Sequence, residues 1–137
     1  MEKEEKGGVV NSATDEKIIL IVENEALNSK LVESFLKNTY AYETVEDGHS
    51  AIEKSKNKKY SMILMDINLG KGMSGLEAAM EIRKIDGYLE VPIIAMTAFA
   101  MKGDEKEFLS GGCTDYIAKP FIQRDLLVLV SKYSGTD

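Results

Sequence analysis

Met62-Ile63-Leu64-Met65-Asp66 is a run of four apolar residues closed by an acidic one, and the rest of the chain can be arranged around it. A strand that is apolar along its whole length is covered on both faces, which is typical of parallel sheets packed between helices. Two later apolar runs are closed in the same way, one by Thr97 and the other by Lys119. Because parallel strands present their carboxyl ends at one edge of a sheet, we expect Asp66, Thr97 and Lys119 to lie together.

The remainder of the chain alternates short β-rich runs with segments of helical period, as expected of βα units around a parallel sheet. Strands are predicted at 18–22, 42–45, 61–65, 91–96 and 115–118. The first predicted helix is striped by Leu27, Leu31 and Phe35, with Val32 and Leu36 alongside. Further helices are predicted over 50–58, over a segment ending near Asp86-Gly87, over 103–110 and over 123–133. Right-handed crossovers place helices on both faces, so the predicted class is α/β with a doubly wound five-stranded parallel sheet and five helices.

Length and composition favour one compact domain. The chain has 137 residues, of which 44% are hydrophobic, enough to fill a single core. We place this domain at 17–134 and interpret 1–16, which begins with a mixed-charge run followed by Gly7-Gly8, as a flexible N-terminal tail.

Charge and cysteine usage exclude several classes of partner and site. The net charge of −6 gives no reason to expect a nucleic acid or an anionic membrane surface as a partner. No apolar run approaches the roughly 20 residues that span a bilayer. Cys113 is the only cysteine, which rules out an internal disulfide and favours a cytoplasmic location. We expect its thiol to be buried and unreactive.

The residues expected at the sheet edge are suited to accepting a phosphoryl group. An aspartate such as Asp66 can attack phosphorus without a general base, because a carboxylate is ordinarily ionised at neutral pH. The approach of a phosphate dianion to a carboxylate requires positive charge nearby. Lys119 supplies an ammonium, Thr97 a hydroxyl, and Glu23 with Asn24 a place for a divalent cation after the first strand. Each residue alone could instead be a cap or a solvated surface group, but their common placement favours a site.

Several motifs occur together in a recognisable order. They are Ile18 to Asn28, Met65 to Leu69, Gly75 to Glu77, Pro92 to Ala98, and Asp115 to Phe121. With these motifs the chain resembles, over about residues 17–134, the CheY-like receiver domain of two-component response regulators. The segment from Thr97 to Glu105, with Gly111-Gly112-Cys113 after it, is similar to stand-alone receivers of the DivK type. The resemblance implies a flavodoxin-like fold with strand order 2-1-3-4-5.

The resemblance also implies a role in phosphorelay signalling rather than a conventional enzyme activity. Asp66 would accept the phosphoryl group from a histidine kinase or a histidine phosphotransfer protein, and Lys119 would pair with it. Thr97 would move to bind a phosphoryl oxygen, and Tyr116 matches the aromatic position that turns inward with it. A downstream protein target would then recognise the changed surface. The face from the fourth to the fifth helix would also offer a route to a homodimer.

The cofactor implied by the resemblance is Mg²⁺. Its ligands would come from Glu23, Asn24, Asp66 and the backbone carbonyl of Asn68. The side chains of Asn68 and Phe99 would lie where they control the access of water to the acyl phosphate.

Two features depart from the common family pattern. Family members usually carry two adjacent acids after the first strand, but here the pair is Glu23-Asn24, so we expect weakened rather than abolished Mg²⁺ binding. Glu25 could substitute if its loop turned inward. The loop 70–74 is one residue longer than the common form and lacks its proline, and its glycines favour mobility.

Other functions remain open at the level of sequence. The neutral Asn24 leaves room for a docking receiver that never takes phosphate, and the chain could also be a receiver excised from a hybrid histidine kinase. A phosphatase with an aspartate nucleophile would require a second aspartate at position 68, where Asn68 stands. A flavin carrier would require a Ser-, Thr- and Gly-rich loop where residues 23–28 are acidic.

Two further segments yield limited predictions. His49 lies in a turn before a polar helix, where a solvated side chain is expected. The five successive apolar residues 126–130 cannot all face the sheet from one helix, so one or two should be exposed or meet a partner.

Overall fold

The computed structural model describes residues 17–98 and 104–134, and these residues form five strands and five helices in strict alternation. The strands are β1 (Ile18–Val22), β2 (Ala41–Val45), β3 (Met62–Asp66), β4 (Ile93–Thr97) and β5 (Asp115–Ala118). The helices are α1 (Ala26–Leu36), α2 (Gly48–Asn57), α3 (Gly75–Arg83), α4 (Asp104–Ser110) and α5 (Gln123–Ser134). The expected N-terminal tail, 1–16, and Phe99 lie outside the described residues.

All neighbouring strands are parallel, and their order across the sheet is β2-β1-β3-β4-β5. The predicted fold class and strand order are therefore confirmed. β3 occupies the centre of the sheet, with Met65 beside Val22 of β1 and Asp66 beside Met96 of β4. This register brings the carboxyl end of β3 between those of its two neighbours.

The sheet separates two apolar cores because alternate residues of each strand point to opposite faces. On β3, Ile63 and Met65 pack with residues of α2, α3 and α4, whereas Met62 and Leu64 pack with residues of α1 and α5. All five residues of β3 are buried. Burial on both faces explains the unbroken apolar run, since each large apolar side chain removed from water contributes about 1.5–3 kcal/mol.

Helix boundaries differ from the predicted ones where side chains cap the helix ends. α2 begins at Gly48, two residues before the predicted start, because the Asp47 carboxylate accepts a hydrogen bond of 2.7 Å from the backbone N–H of Ser50. α3 begins with a capping box in which Ser74 and Glu77 exchange hydrogen bonds. It ends at Arg83, and only turns follow it up to Gly87.

The apolar stripe predicted for α1 is only partly buried, because Phe35 packs against the core but the two leucines of the stripe are exposed. Leu27 is 83% exposed and Leu31 is 47% exposed, while Val32 and Leu36 are buried. Successive helical residues are about 100° apart, so a face centred on Val32 and Leu36 turns the row of leucines away from the sheet. The two leucines therefore form an exposed apolar patch on the surface of α1.

The apolar run in α5 behaves as predicted. Leu126 and Val130, four residues apart, are buried, and Val128 between them is 64% exposed.

Cys113 is buried as expected, and burial raises the pKa of its thiol to about 11 despite the opposing charge of Arg83. Across 17–98 and 104–134, no helix combines the length and apolar character needed to cross a membrane.

Candidate functional site

Buried polar side chains are concentrated at the carboxyl edge of the sheet. In the part of the chain that the structure describes, four polar residues are buried, and three of them, Glu23, Asp66 and Thr97, end or follow neighbouring strands. A polar group buried without partners is costly, so such a group persists in a core only where it is paired or serves a function. This edge is therefore the candidate functional site, as the sequence predicts.

Lys119 joins the two buried acids of this edge. Its Nζ lies 3.0 Å from Oε1 of Glu23 and 3.2 Å from Oδ2 of Asp66. Its backbone N–H donates a hydrogen bond of 2.7 Å to the carbonyl oxygen of Thr97, and the peptide bond to Pro120 is cis. The structure thus brings together residues that lie up to 96 positions apart in the sequence, with the ammonium held between two carboxylates.

The single positive charge of Lys119 does not neutralise the two carboxylates, Glu23 and Asp66, that it contacts. Burial, a hydrogen bond to Glu23 and the negative charge of Glu23 raise the pKa of Asp66 from 3.8 to about 7, although Lys119 opposes the rise. Burial alone would lower the pKa of Lys119, but its hydrogen bonds and the charges of both acids raise it. Two carboxylates here share a single ammonium, so without a further cation Asp66 keeps its proton to a higher pH than an ordinary aspartate does.

The residues at this edge suit a hard divalent cation. Mg²⁺ is usually held by one or two carboxylates together with carbonyl or water oxygens, and the edge supplies two carboxylates that are short of positive charge. Within the described ranges, no cluster of three or more His, Cys, Asp or Glu side chains is arranged to hold a metal. A cation here would thus depend on Glu23 and Asp66, with amide and backbone oxygens completing its shell.

The loop after β3 is built around Asp66. Its Oδ1 accepts a hydrogen bond of 3.0 Å from the backbone N–H of Asn68. The side chain of Asn68 is exposed and accepts a hydrogen bond of 3.2 Å from the N–H of Gly70, which has a positive φ of 83°. The side-chain oxygen of Asn68 is thus engaged in a hydrogen bond within the turn that follows β3.

Gly75 belongs to one of the sequence motifs, but its structural role was not predicted from the sequence. A Cβ added to it would lie 2.2 Å from the backbone oxygen of Asp66, so only glycine allows α3 to begin this close to β3. The available signal was a glycine directly after the capping residue Ser74.

The residues after β1 differ in what they offer to the site. Asn24 is exposed, and its Nδ2 lies close to Gly70, where an added Cβ would stand 3.2 Å from it. Glu25 directs its carboxylate to Nδ2 of Asn28 at 3.0 Å, and its backbone N–H donates to Oε2 of Glu23 at 3.3 Å. The Glu25 carboxylate is therefore engaged in the first turn of α1 and does not replace a second acid at the edge.

Tyr116 lies on the same face of the sheet as Thr97. Parallel partners point to the same side, and the pairs are Ala95 with Tyr116 and Thr97 with Ala118. The Tyr116 ring is partly buried and lies 5.8 Å from the ring of Phe108, at an angle of 50°.

Comparison with known proteins identifies relatives of the whole domain. Residues 19–131 match the response regulator receiver domain. The polar-differentiation response regulator DivK of Brucella anthropi is 37% identical over 121 residues, which cover 87% of this chain and 97% of that protein. DivK of Brucella ovis is 36% identical over the same shares of the two chains.

Solved structures agree with this assignment. The receiver domain of sensor histidine kinase PA1611 from Pseudomonas aeruginosa, which has a magnesium ion in its active-site cleft, is 35% identical with a TM-score of 0.81. The match covers 88% of this chain and 99% of that one. The receiver domain of Ssk1 from Saccharomyces cerevisiae, crystallised with the histidine phosphotransfer protein Ypd1, belongs to a structure matched at 28% identity with a TM-score of 0.79. That match covers 87% of this chain and 89% of the other. With its strand order, buried acidic edge and near-complete match to these relatives, the chain belongs to the family of response regulator receiver domains.

Proposed function

We propose that Asp66 accepts a phosphoryl group from a phosphohistidine and that the protein passes the signal on by protein contact. The phosphodonor would be a histidine kinase or a histidine phosphotransfer protein. The observation that carries the proposal is the placement of the Lys119 ammonium 3.0 Å from Glu23 and 3.2 Å from Asp66 at a buried sheet edge. In this reading the protein catalyses only its own phosphorylation and dephosphorylation.

The transfer step follows from the chemistry of the edge. A carboxylate oxygen of Asp66 forms a bond to phosphorus while the bond from phosphorus to the donor imidazole nitrogen breaks, and the imidazole leaves with the electron pair. Lys119 stabilises the charge on the phosphoryl oxygens in the transition state. Thr97 would bind a phosphoryl oxygen in the product through its hydroxyl group. Mg²⁺, when bound, would supply positive charge between the acids and the phosphoryl oxygens.

The proposed Mg²⁺ site would use Glu23, Asp66, the carbonyl oxygen of Asn68 and the amide oxygen of Asn24. Replacing a carboxylate by the neutral Asn24 amide removes about 8 kcal/mol of gross attraction to a divalent cation at 4 Å for an effective dielectric constant near 20, before relaxation offsets much of it. We therefore expect Asn24→Asp to bind Mg²⁺ more tightly than the wild type in a calorimetric titration. Equal affinities would contradict this account of the site.

The proposed phosphodonor would dock near α1. Leu27 and Leu31 are exposed, and α1 begins at the same edge of the sheet that holds Asp66. An exposed apolar patch next to a reactive group suits a protein partner that must bring its histidine close. A downstream target or a second copy of the chain would use the face from α4 to α5, where Leu109 and Val128 are exposed. The cytoplasmic location expected from the lone cysteine is part of this proposal.

The decisive experiment is adduct formation. The protein is incubated with acetyl phosphate, or with beryllofluoride, in the presence of Mg²⁺, and the adduct is followed by intact mass and by NMR. We expect one adduct in the wild type and none in Asp66→Asn. A wild type that stays unmodified under conditions that modify a control receiver would instead support a docking module that never takes phosphate.

A further inference from the structure

The loop after β3 is fixed at both ends by apolar side chains. Leu69 is buried, with 5% of its surface exposed, and belongs to the same core cluster as residues of α2 and α3. Met73 is partly buried against this core and lies beside Gly48, where an added Cβ would stand 2.9 Å from its sulfur. Between these two anchors the segment 70–72 is exposed. The path of this short segment is therefore set from both sides.

Gly70 and Gly72 share a backbone conformation but differ in their surroundings. Their φ angles are +83° and +86°, in the left-handed region where a residue with a side chain is strained. A Cβ added to Gly70 would stand 3.2 Å from Nδ2 of Asn24, closer than an ordinary van der Waals contact. A Cβ added to Gly72 would have no atom of the described residues within 4 Å. Both positions thus require glycine for the backbone, but only the first of them lies against Asn24.

The contact with Gly70 bears on the orientation of the Asn24 amide. The side chain of Asn24 is exposed, so a neighbour such as the backbone of this loop is needed to limit its rotation. Its nitrogen lies toward Gly70, and the amide oxygen, bonded to the same carbon, is turned away from the loop. Of these two atoms only the oxygen can bind a cation.

We propose that Gly70 is a positioning residue for the Mg²⁺ site, because its bare Cα leaves room for the Asn24 amide to keep its oxygen toward the cation. The inference rests on the proposed function, in which this oxygen is one of the ligands. A charged carboxylate attracts a cation from any direction, whereas a neutral amide does so only through the oxygen end of its dipole. A site that carries Asn24 in place of an acid therefore depends on the residue that orients the amide.

The test compares Gly70→Ala with Gly72→Ala in the otherwise intact protein. Both substitutions place a Cβ at a positive φ on the exposed loop, so Gly72→Ala controls for backbone strain. Mg²⁺ is titrated into the unmodified proteins by isothermal calorimetry. The side-chain amide signal of Asn24, assigned with Asn24→Ala, is followed in ¹H–¹⁵N NMR spectra, and the stability of each variant is measured by urea unfolding.

We expect Gly70→Ala to weaken Mg²⁺ binding by about tenfold, the low end of the range for losing a contact outside the direct ligands of a metal. The amide signal of Asn24 should shift in the same variant before Mg²⁺ is added. Gly72→Ala should bind Mg²⁺ as the wild type does and leave the Asn24 signal in place. The urea midpoints of the two variants should fall by the same amount. Equal Mg²⁺ affinities in the two variants would overturn the proposal.

A double-mutant cycle separates Asn24 from the other route by which Gly70 could act. The backbone N–H of Gly70 also donates a hydrogen bond of 3.2 Å to the side chain of Asn68, whose carbonyl oxygen belongs to the proposed cation site. If Gly70 acts through Asn24, Gly70→Ala should change Mg²⁺ affinity very little in the Asn24→Ala background. A loss that persists there would show that the effect runs through Asn68, and it would refute the positioning role.

The failure of this inference differs from that of the proposed function. If the wild type forms the adduct at Asp66 but Gly70→Ala and Gly72→Ala bind Mg²⁺ alike, the function stands and the role of Gly70 is wrong. If no adduct forms but Gly70→Ala alone weakens Mg²⁺ binding, the role of Gly70 stands and the function is wrong. A wild type that binds no Mg²⁺ would also overturn the role of Gly70, whatever the outcome of adduct formation.

Discussion

Replacing Asp66 by asparagine should stabilise the folded protein at alkaline pH in the absence of divalent cations. The pKa of Asp66 is raised from 3.8 to about 7, chiefly by burial and then by Glu23. Between about pH 4 and 7 the folded protein holds a proton that the unfolded chain has released, so the wild type loses stability as the pH rises through this window. Asp66→Asn removes the titration and should not lose this stability.

The size of the effect follows from the same pKa. A rise from 3.8 to about 7 corresponds to roughly 4 kcal/mol at 1.36 kcal/mol per pH unit, as an upper bound. Solvent screening and the lost charge-assisted hydrogen bond to Lys119 reduce it to about 1–2 kcal/mol at pH 8. A gain of this size raises the melting temperature of a domain of this length by about 3–8 °C.

The assay is urea unfolding in EDTA, followed by circular dichroism at several pH values from 4 to 8. Asp47→Asn is the matched control, because the Asp47 carboxylate accepts a hydrogen bond from the backbone of Ser50, which lowers its pKa. The control should lose stability relative to the wild type as the pH rises above the pKa of Asp47. A difference between Asp66→Asn and the wild type that stays constant from pH 4 to 8 would refute the reasoning, since it would show that Asp66 does not titrate in this window.

Three further outcomes follow from the structure. Gly75→Ala should cost about 1–3 kcal/mol of stability and disturb adduct formation, because its Cβ would lie 2.2 Å from the backbone oxygen of Asp66; unchanged urea unfolding would contradict this close approach. Replacing both Leu27 and Leu31 by serine should slow phosphotransfer from a protein donor while leaving the rate with acetyl phosphate unchanged, and equal slowing with both donors would count against a docking role. Cys113 should react with a thiol reagent at pH 8 at least about a hundredfold more slowly in the native than in the urea-unfolded protein, because burial raises its pKa to about 11; similar rates would mean that the thiol is accessible.

The central strands were predictable because a single physical requirement dominates them. β1 has the predicted bounds, β3 differs by one residue at each end, and β4 begins two residues later and ends one residue later than predicted. Strands covered on both faces admit few polar residues, so the first polar residue after each apolar run marks the edge of the sheet. The same requirement placed Asp66, Thr97 and Lys119 at one edge.

Helix faces were less predictable because periodicity does not say which of two adjacent stripes is buried. In α1 the row of Leu27 and Leu31 and the row of Val32 and Leu36 are both apolar at helical spacing. Which row is buried depends on how the helix is rotated about its axis when it packs on the sheet. The sequence of the helix alone does not fix that rotation, because it depends on tertiary packing. Arg83 illustrates the same limit, since its guanidinium binds backbone oxygens in separate loops that no local pattern connects.

The charge of the buried edge suggests what Asn24 contributes to the proposed switch. Glu23 and Asp66 against Lys119 leave one formal negative charge, which agrees with the raised pKa of Asp66. With a divalent cation bound, the unmodified edge would carry one positive charge. Conversion of Asp66 to an acyl phosphate replaces one negative charge by about two, so the modified edge with its cation becomes neutral. A second aspartate at position 24 would leave that state negative. The neutral amide of Asn24 thus weakens the cation site while Asp66 is unmodified, and it leaves the edge neutral once Asp66 carries the phosphoryl group. Asn24→Asp should therefore raise Mg²⁺ affinity more in the unmodified protein than in its beryllofluoride adduct.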